Sequence, residues 1–345
     1  MTTTTTPQTQ QPAATPRVSF WRDEAKEPWR RNLALIGVLI LLFIIGAVIR
    51  PELYGDPKWV FDNMMVILQQ ASAIGVVTVG MTFIIIGGGI DLSVGALIAL
   101  AGVWCTTVAT QSFGSAGMIF TAVAVGVGAG LVNGVLIAYG RLVPFIATLA
   151  MLVAARGLAA RISGKQTQVS TDQFINSIAS TRPFGIPMLA LILVAVAALG
   201  WVLLNRTTFG RRTVAIGGNA EAARLAGINV RRHTMLLYAL SGLCCGIAAI
   251  MLTSLATSSQ AAAAELYELD AIAAAIIGGT LLTGGRGTIV GSMIGVVIFA
   301  TITNLFAITN TPTEAQNMVK GGIIVLAVLI QQLKFKSVKQ MLIRT

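Results

Sequence analysis

Histidine occurs once in the 345 residues, cysteine three times, and only 11% of the chain is charged. His233 has no second histidine with which to form an HExxH zinc site. Cys105, Cys244 and Cys245 all fall inside apolar segments, and two are adjacent, which argues against a disulfide framework and against a thiolate metal centre. No apolar segment holds a close pair of carboxylates for acid and base catalysis. The nucleophile elbow GxSxG is absent, because Gly291-Ser292-Met293-Ile294-Gly295 has the wrong spacing. Gly164-Lys165-Gln166 lacks both the glycine five positions before Gly164 and the hydroxyl after the lysine that a phosphate-binding loop needs. The sequence therefore reads as a non-enzyme, without a metal site, and any ATP that it depends on must be bound by another subunit.

Apolar residues are abundant. Hydrophobic residues make up 55% of the chain and the mean hydropathy is +0.81, which marks an integral membrane protein. The apolar runs are continuous rather than alternating, so helices are expected and a barrel is not. Ten segments are candidate spans: 33–49, 64–86, 92–110, 116–139, 145–162, 188–204, 235–257, 269–281, 288–308 and 318–333. The segment 269–281 is short for a crossing and reads as a broken or re-entrant helix. Residues 1–30 are expected to form a cytoplasmic tail that opens on the disordered tract MTTTTTPQTQQPAATP. Residues 31–333 form one polytopic domain with a long internal loop at 205–234, and 334–345 form a basic tail.

The net charge of +11 has to be sorted by membrane side before it says anything about partners. With a cytoplasmic N-terminus, 17 of the 24 Lys and Arg residues lie inside: five before the first span, Arg141, six from Arg206 to Arg232, Arg286 and four at the C-terminus. This satisfies the positive-inside bias, so the basic residues call for lipid and not for nucleic acid.

Between Asn63 and Gly140 the only formal charge is Asp91, directly after Gly87, Gly88, Gly89 and Ile90. The glycines are expected to break one helix, with Asp91 or Ser93 capping the next near the cytoplasmic mouth, where the carboxylate need not be buried at mid-membrane. Arg156 is the other isolated charge, and two charges at different depths make a poor proton relay, so an ion-coupled carrier ranks second among transporter classes. A second glycine cluster places Gly284 and Gly285 beside Arg286, either as a tight hairpin, a partner contact or a gate. IIIGGGIDLSVGALI and IIGGTLLTGGRGTIVGSMI share the order glycine cluster, VG, apolar helix, a weak internal echo. Gly126, Gly130 and Gly134 recur at helical spacing and are expected to serve internal helix packing in preference to a dimer seam.

The loop 205–234 contains a readable short helix: Asn219 caps it, Glu221 lies in its first turn, and Gly227 ends it. Ala220, Ala222, Ala223, Leu225, Ala226 and Ile228 give it an apolar surface that a solvated loop would not need, so it is expected to dock on a partner. Here the sequence resembles a known family. Glu221-Ala222-Ala223 followed by Gly227, within AIGGNAEAARLAGINV (215–230), is similar to the cytoplasmic loop by which ABC importer permeases engage their ATPase. VGMTFIIIGGGIDLSVG (79–95) and YELDAIAAAIIGGTLLTGGRGTIVG (267–291) extend the resemblance over about residues 33–333 to the monosaccharide branch, the ribose, xylose, arabinose and galactose permeases. Leu281 stands where that branch often has serine.

The resemblance implies an all-α permease of the bacterial cytoplasmic membrane. It also implies a second permease copy or paralogue, an extracytoplasmic sugar-binding protein, and an ATPase, often tandem-duplicated, that carries ATP and Mg. It implies coupling through Gly218 to Ala223 and a gating role for the Asp91 hinge. Related permeases for branched-chain amino acids, nucleosides or a sugar-derived signal are the alternatives within the class. Gln69, Gln70, Asn133 and Thr148, with Arg156, are polar groups at apolar depth that are candidates to line a path, or to make ordinary interhelical hydrogen bonds. Arg156 is expected to face the protein interior or to snorkel to the outer interface, the second being favoured because Arg161 and Lys165 follow toward that side. Arg50, Lys58, Arg182 and Lys320 are expected in outer loops, available to a binding protein.

Overall fold

The computed structural model describes the backbone of residues 27–343 and the side chains of residues 31–329. The expected tract 1–16 lies outside the described residues. The chain runs through α1 (Glu27–Ile49), α2 (Pro57–Ile86), α3 (Val94–Cys105), α4 (Gly114–Ala138), α5 (Pro144–Ile162), α6 (Met188–Arg206), α7 (Thr208–Gly218), α8 (Ala220–Leu225), α9 (Val230–Ala256), α10 (Tyr267–Ile277), α11 (Ile289–Ile308) and α12 (Thr313–Ile343). Short helical turns at Pro51–Tyr54, Val108–Gln111, Gln173–Ile178 and Pro183–Gly185 join them. A two-residue antiparallel ladder pairs β1 (Gln168–Val169) with β2 (Ser258–Ser259), a feature that no apolar pattern announced.

Seven helices among the described residues, α1, α2, α4, α5, α6, α9 and α11, are long and apolar enough to cross a membrane. α3 and α10 are shorter, at 12 and 11 residues. The loop 205–234 is mostly helical rather than irregular, since α7 and α8 occupy it and α9 already begins at Val230. α12 runs on past residue 333 to Ile343, so the expected basic tail continues the last helix.

Local chemistry sets the helix ends. Asp56 accepts from the Lys58 amide (2.9 Å) ahead of Pro57 to start α2, and Thr288 accepts from the Gly291 amide (3.1 Å) to start α11. α2 and α10 end by the same left-handed glycine device. Gly88 (φ +84°) donates to Ile85 O and Gly89 to Ile84 O, while Gly279 (φ +86°) donates to Ile276 O and Thr280 to Ala275 O. Each is a Schellman closure, so the sequence echo corresponds to two helix–glycine-turn–helix units.

α3 is apolar on all sides and buried on all but Trp104, and together with α2 and α9 it forms the interior. The α4 glycines allow a close helix contact. A Cβ at Gly126 would overlap Gly242 O, and one at Gly130 would overlap Tyr238 O, both on α9. Internal packing therefore explains the glycine run, and Gly242 and Gly246 supply the facing half. Asn63 and Asn304 exchange amide hydrogen bonds (3.1 and 2.9 Å), and Thr82 donates to Ser292 (2.8 Å), tying α2 to α11.

Candidate functional site

Glycines from three distant parts of the chain meet at one place. The amide of Gly285 donates to Ile86 O (2.8 Å), joining the turn after α10 to the end of α2. Gly217, near the end of α7, fits between them. A Cβ there would overlap Ile86 O and lie 2.6 Å from the Gly285 nitrogen. Gly284 is equally constrained, since a Cβ on it would lie 2.8 Å from Gly217 O and 3.1 Å from Gly88 Cα. Arg31 of α1 reaches the same region, donating to Gly279 O (3.2 Å) and Thr288 Oγ1 (3.4 Å). The backbone carbonyl of Arg286 accepts from Leu281, closing the turn that carries Gly284 and Gly285.

α7 is held a second time by aromatic and polar contacts. Phe209 packs on Phe83 of α2 (ring centroids 6.1 Å apart) and on His233 of α9 (4.5 Å), and His233 Nε2 lies 2.8 Å from Thr213 Oγ1. His233 is thus buried in the first turns of α9. Phe209, Thr213, Ile216 and Gly217 share one face of α7, a spacing visible in the sequence once α7 is recognised as a helix.

α8 follows through Gly218 and Asn219. Asn219 Oδ1 accepts from the amides of Glu221 (3.1 Å) and Ala222 (3.0 Å), and Gly227 (φ +83°) ends the turn, with Ile228 donating to Ala223 O. Ala223 alone is buried, whereas Ala220, Ala222 and Ala226 are exposed and Leu225 is 74% exposed. Arg224 forks onto Glu221 (2.6 and 3.0 Å) and holds its carboxyl below the usual range; with both side chains in solvent the pair fixes orientation more than it stabilises.

Asp91 lies at the start of α3 and is fully buried in the protein. Its Oδ1 accepts from the Ser93 amide (2.9 Å) and Ser93 Oγ (2.6 Å), and its Oδ2 accepts from Ser241 Oγ of α9 (3.1 Å). Asn133 of α4 donates to Ser93 Oγ (2.9 Å), and Tyr238 donates to Ile90 O (3.2 Å). Ser93 makes no side-chain cap of its own; the carboxylate does that work while also bridging to α9. Ser241 and Tyr238 carried no signal beyond their three-residue spacing.

The other polar candidates separate. Gln69 donates to Ala179 O (3.2 Å), Gln70 is exposed, and Thr148 bonds back to Pro144 O (2.9 Å) in its own helix. Arg156 reaches the turn between α9 and α10, where the carbonyls of Ala261 and Ala263 accept from its Nη1 at 2.6 Å each. Lys320 is no free loop cation: it pairs with Asp270 of α10 (3.1 Å) and lies over Phe299. Arg50 is likewise turned back to Glu52 and Ile308 O. The described residues contain no cluster of His, Cys, Asp or Glu suited to a metal ion.

A buried bundle with several apolar helices, joined to a docked amphipathic loop, defines a multi-pass membrane permease. The chain belongs to the family described as branched-chain amino acid transport system / permease component, whose model matches residues 63–328. It is 40% identical over 298 residues to the ribose import permease protein RbsC of Bacillus subtilis, covering 86% of this chain and 91% of that protein. The RbsC protein of Escherichia coli K12 is 36% identical over 306 residues (87% and 93% covered). The galactofuranose transporter permease protein YtfT of the same strain is 32% identical over 313 residues (90% and 92% covered). No solved structure matches the chain.

Proposed function

We propose that this chain is the permease subunit of an ATP-driven importer that carries a monosaccharide across the cytoplasmic membrane. The observation that carries the coupling half of this reading is the seat of Gly217 between Ile86 O and Gly285 N, which ties the loop bearing α8 to two helix-ending turns at once. The relatives named for ribose and galactofuranose support the sugar half.

On this reading the chain crosses the membrane ten times with both termini in the cytoplasm. The contact of Arg31 with Gly279 and Thr288 supports a shared side for the N-terminus, the glycine junction and α7–α8. The exposed apolar side of α8 enters a cleft on an ATPase subunit, which holds the ATP and Mg and is tandem-duplicated or paired. A second permease copy or paralogue completes the path, and a binding protein delivers the sugar. Closure of the ATPase moves α8; α7 passes the movement through the Phe209–His233 contact and the glycine junction to α2, α9 and α10, shifting the balance between outward- and inward-open states.

Reconstitution in proteoliposomes with its own ATPase and binding protein tests this reading. Radiolabelled ribose or galactose should accumulate only with ATP inside the coupling compartment, and leucine should not accumulate. Uptake driven by an ion gradient without ATP, or uptake of leucine in place of sugar, overturns it.

A further inference from the structure

α1 meets the rest of the protein along little of its length. Of residues 31–49 only Gly46 is buried, and the helix is apolar enough for its exposed sides to face lipid. Arginines hold its two ends instead. Arg50 Nη2 donates to Ile308 O (3.3 Å), at the last residue of α11, and Arg31 Nη2 donates to Thr288 Oγ1 (3.4 Å), the hydroxyl that caps the start of α11. From residue 31 to 50 is about 28 Å at helical rise and from 288 to 308 about 30 Å, so α1 lies along α11 as a splint fastened at both ends.

The two fastenings differ in what they touch. Arg50 reaches α11 and its own neighbour Glu52 (3.4 Å). Arg31 also crosses to α10: its Nη1 donates to Gly279 O (3.2 Å), and its side chain lies so close over that glycine that a Cβ there would overlap the guanidinium. A cation is favoured at the carbonyl end of α10 but not at the amide end of α11, so its seat is set by α10 and by the Thr288 hydroxyl. Around Gly278 the two helices touch backbone to backbone, since a Cβ on Gly278 would overlap Gly291 O and one on Gly295 would overlap Ala274 O. Arg31 therefore bridges the two stems of the loop 279–288, whose Gly284 and Gly285 close on Gly217 and Ile86 O.

A fastener for α11 alone would need no bond across the loop. We propose that Arg31 is a positioning residue for energy coupling: by tying the end of α10 to the start of α11 it fixes the stem of the loop, and with it the seat of Gly284 and Gly285 against α7 and α2. Without Arg31 the two helices stay packed through their glycines. The loop then no longer follows α7, and ATP hydrolysis proceeds with less sugar moved.

The inference rests on the importer reading, and its test separates the two. In proteoliposomes holding the complete importer, ribose uptake and phosphate release are measured together for wild type, Arg31→Gln and Arg50→Gln. Each variant releases one end of α1 from α11, so a purely structural role moves both alike. Arg31→Gln should lower the sugar moved per ATP about tenfold, the change that loss of one charge-assisted hydrogen bond makes to an equilibrium between a seated and an unseated loop. The loaded binding protein should still stimulate its ATP hydrolysis, and Arg50→Gln should keep the wild-type ratio. An unchanged ratio in Arg31→Gln, or an equal fall in both variants, overturns the assignment. Arg31→Lys keeps the charge without the fork that reaches two acceptors, and should fall between. If Arg31→Gln leaves no folded protein, a wild-type ratio in Arg31→Lys overturns the assignment in its place. Wild-type protein that imports no sugar with ATP defeats the importer reading instead.

Discussion

Asp91 receives three hydrogen bonds inside the protein, from Ser93 N, Ser93 Oγ and Ser241 Oγ, and through them it joins the glycine turn, α3 and α9. Its shape and acceptors therefore matter more than access to water. Asp91→Asn keeps one acceptor, and the Ser241 hydroxyl can turn to accept from the new amide, so a loss of about 1 kcal/mol is expected. Asp91→Leu strands the Ser93 amide and two hydroxyls, each costing about 1–3 kcal/mol when buried unpaired. Thermal unfolding of the purified protein in detergent should thus rank wild type, Asn and Leu in that order, with only Leu losing most of the folded material. Transport abolished by Asn at normal stability would instead assign the charge itself to gating.

Helices approach each other here through backbone more than through large side chains. Gly130 lies against Tyr238 O and Gly242 Cα of α9, whereas Gly128, on the same helix, has nothing within 4 Å of its would-be Cβ. Gly130→Val should prevent α4 from seating on α9 and leave little folded protein in a fluorescence-detected size-exclusion profile. Gly128→Val should match wild type, because it faces outward. Equal behaviour of the two would mean that the α4–α9 contact does not support the fold.

Elements of this kind were partly legible in the sequence. The glycine spacing marked α4 as a packing helix, and Asn219 and Gly227 marked both ends of α8, because caps and left-handed turns are written in residue type. The partner of α4 was not marked. In a membrane protein the face toward lipid and the face toward a neighbour are both apolar, so periodicity does not say which helix meets which. For the same reason Gly217, one glycine in an unremarkable α7, gave no hint that it closes a junction with residues 86 and 285. The partners of Arg156 and Lys320, the carbonyls near Ala261 and the carboxylate of Asp270, were not marked because they are distant in sequence.

At the scale of the whole molecule the open point is whether α3 and α10 count as crossings. Twelve helical residues span about 18 Å, against about 30 Å of hydrocarbon, so α3 is too short to cross alone. Its burial removes that requirement: Asp91 and Ser93 ahead of it and Thr106 after it are enclosed by protein, the condition under which irregular backbone is tolerated at membrane depth. If α3 crosses, Val108 and Phe184 lie outside and Leu225 inside. If it does not, all three positions exchange sides, since each follows α3 in the chain. Val108 (86% exposed), Phe184 (fully exposed) and Leu225 are each accessible on this surface, and the native Cys105, Cys244 and Cys245 are buried. Single cysteines at the three positions should therefore report against a silent background. A membrane-impermeant maleimide should label Val108→Cys and Phe184→Cys in intact cells, and Leu225→Cys only in inverted vesicles. The opposite pattern would remove α3 from the crossings and place α8 on the wrong side of the membrane for an ATPase.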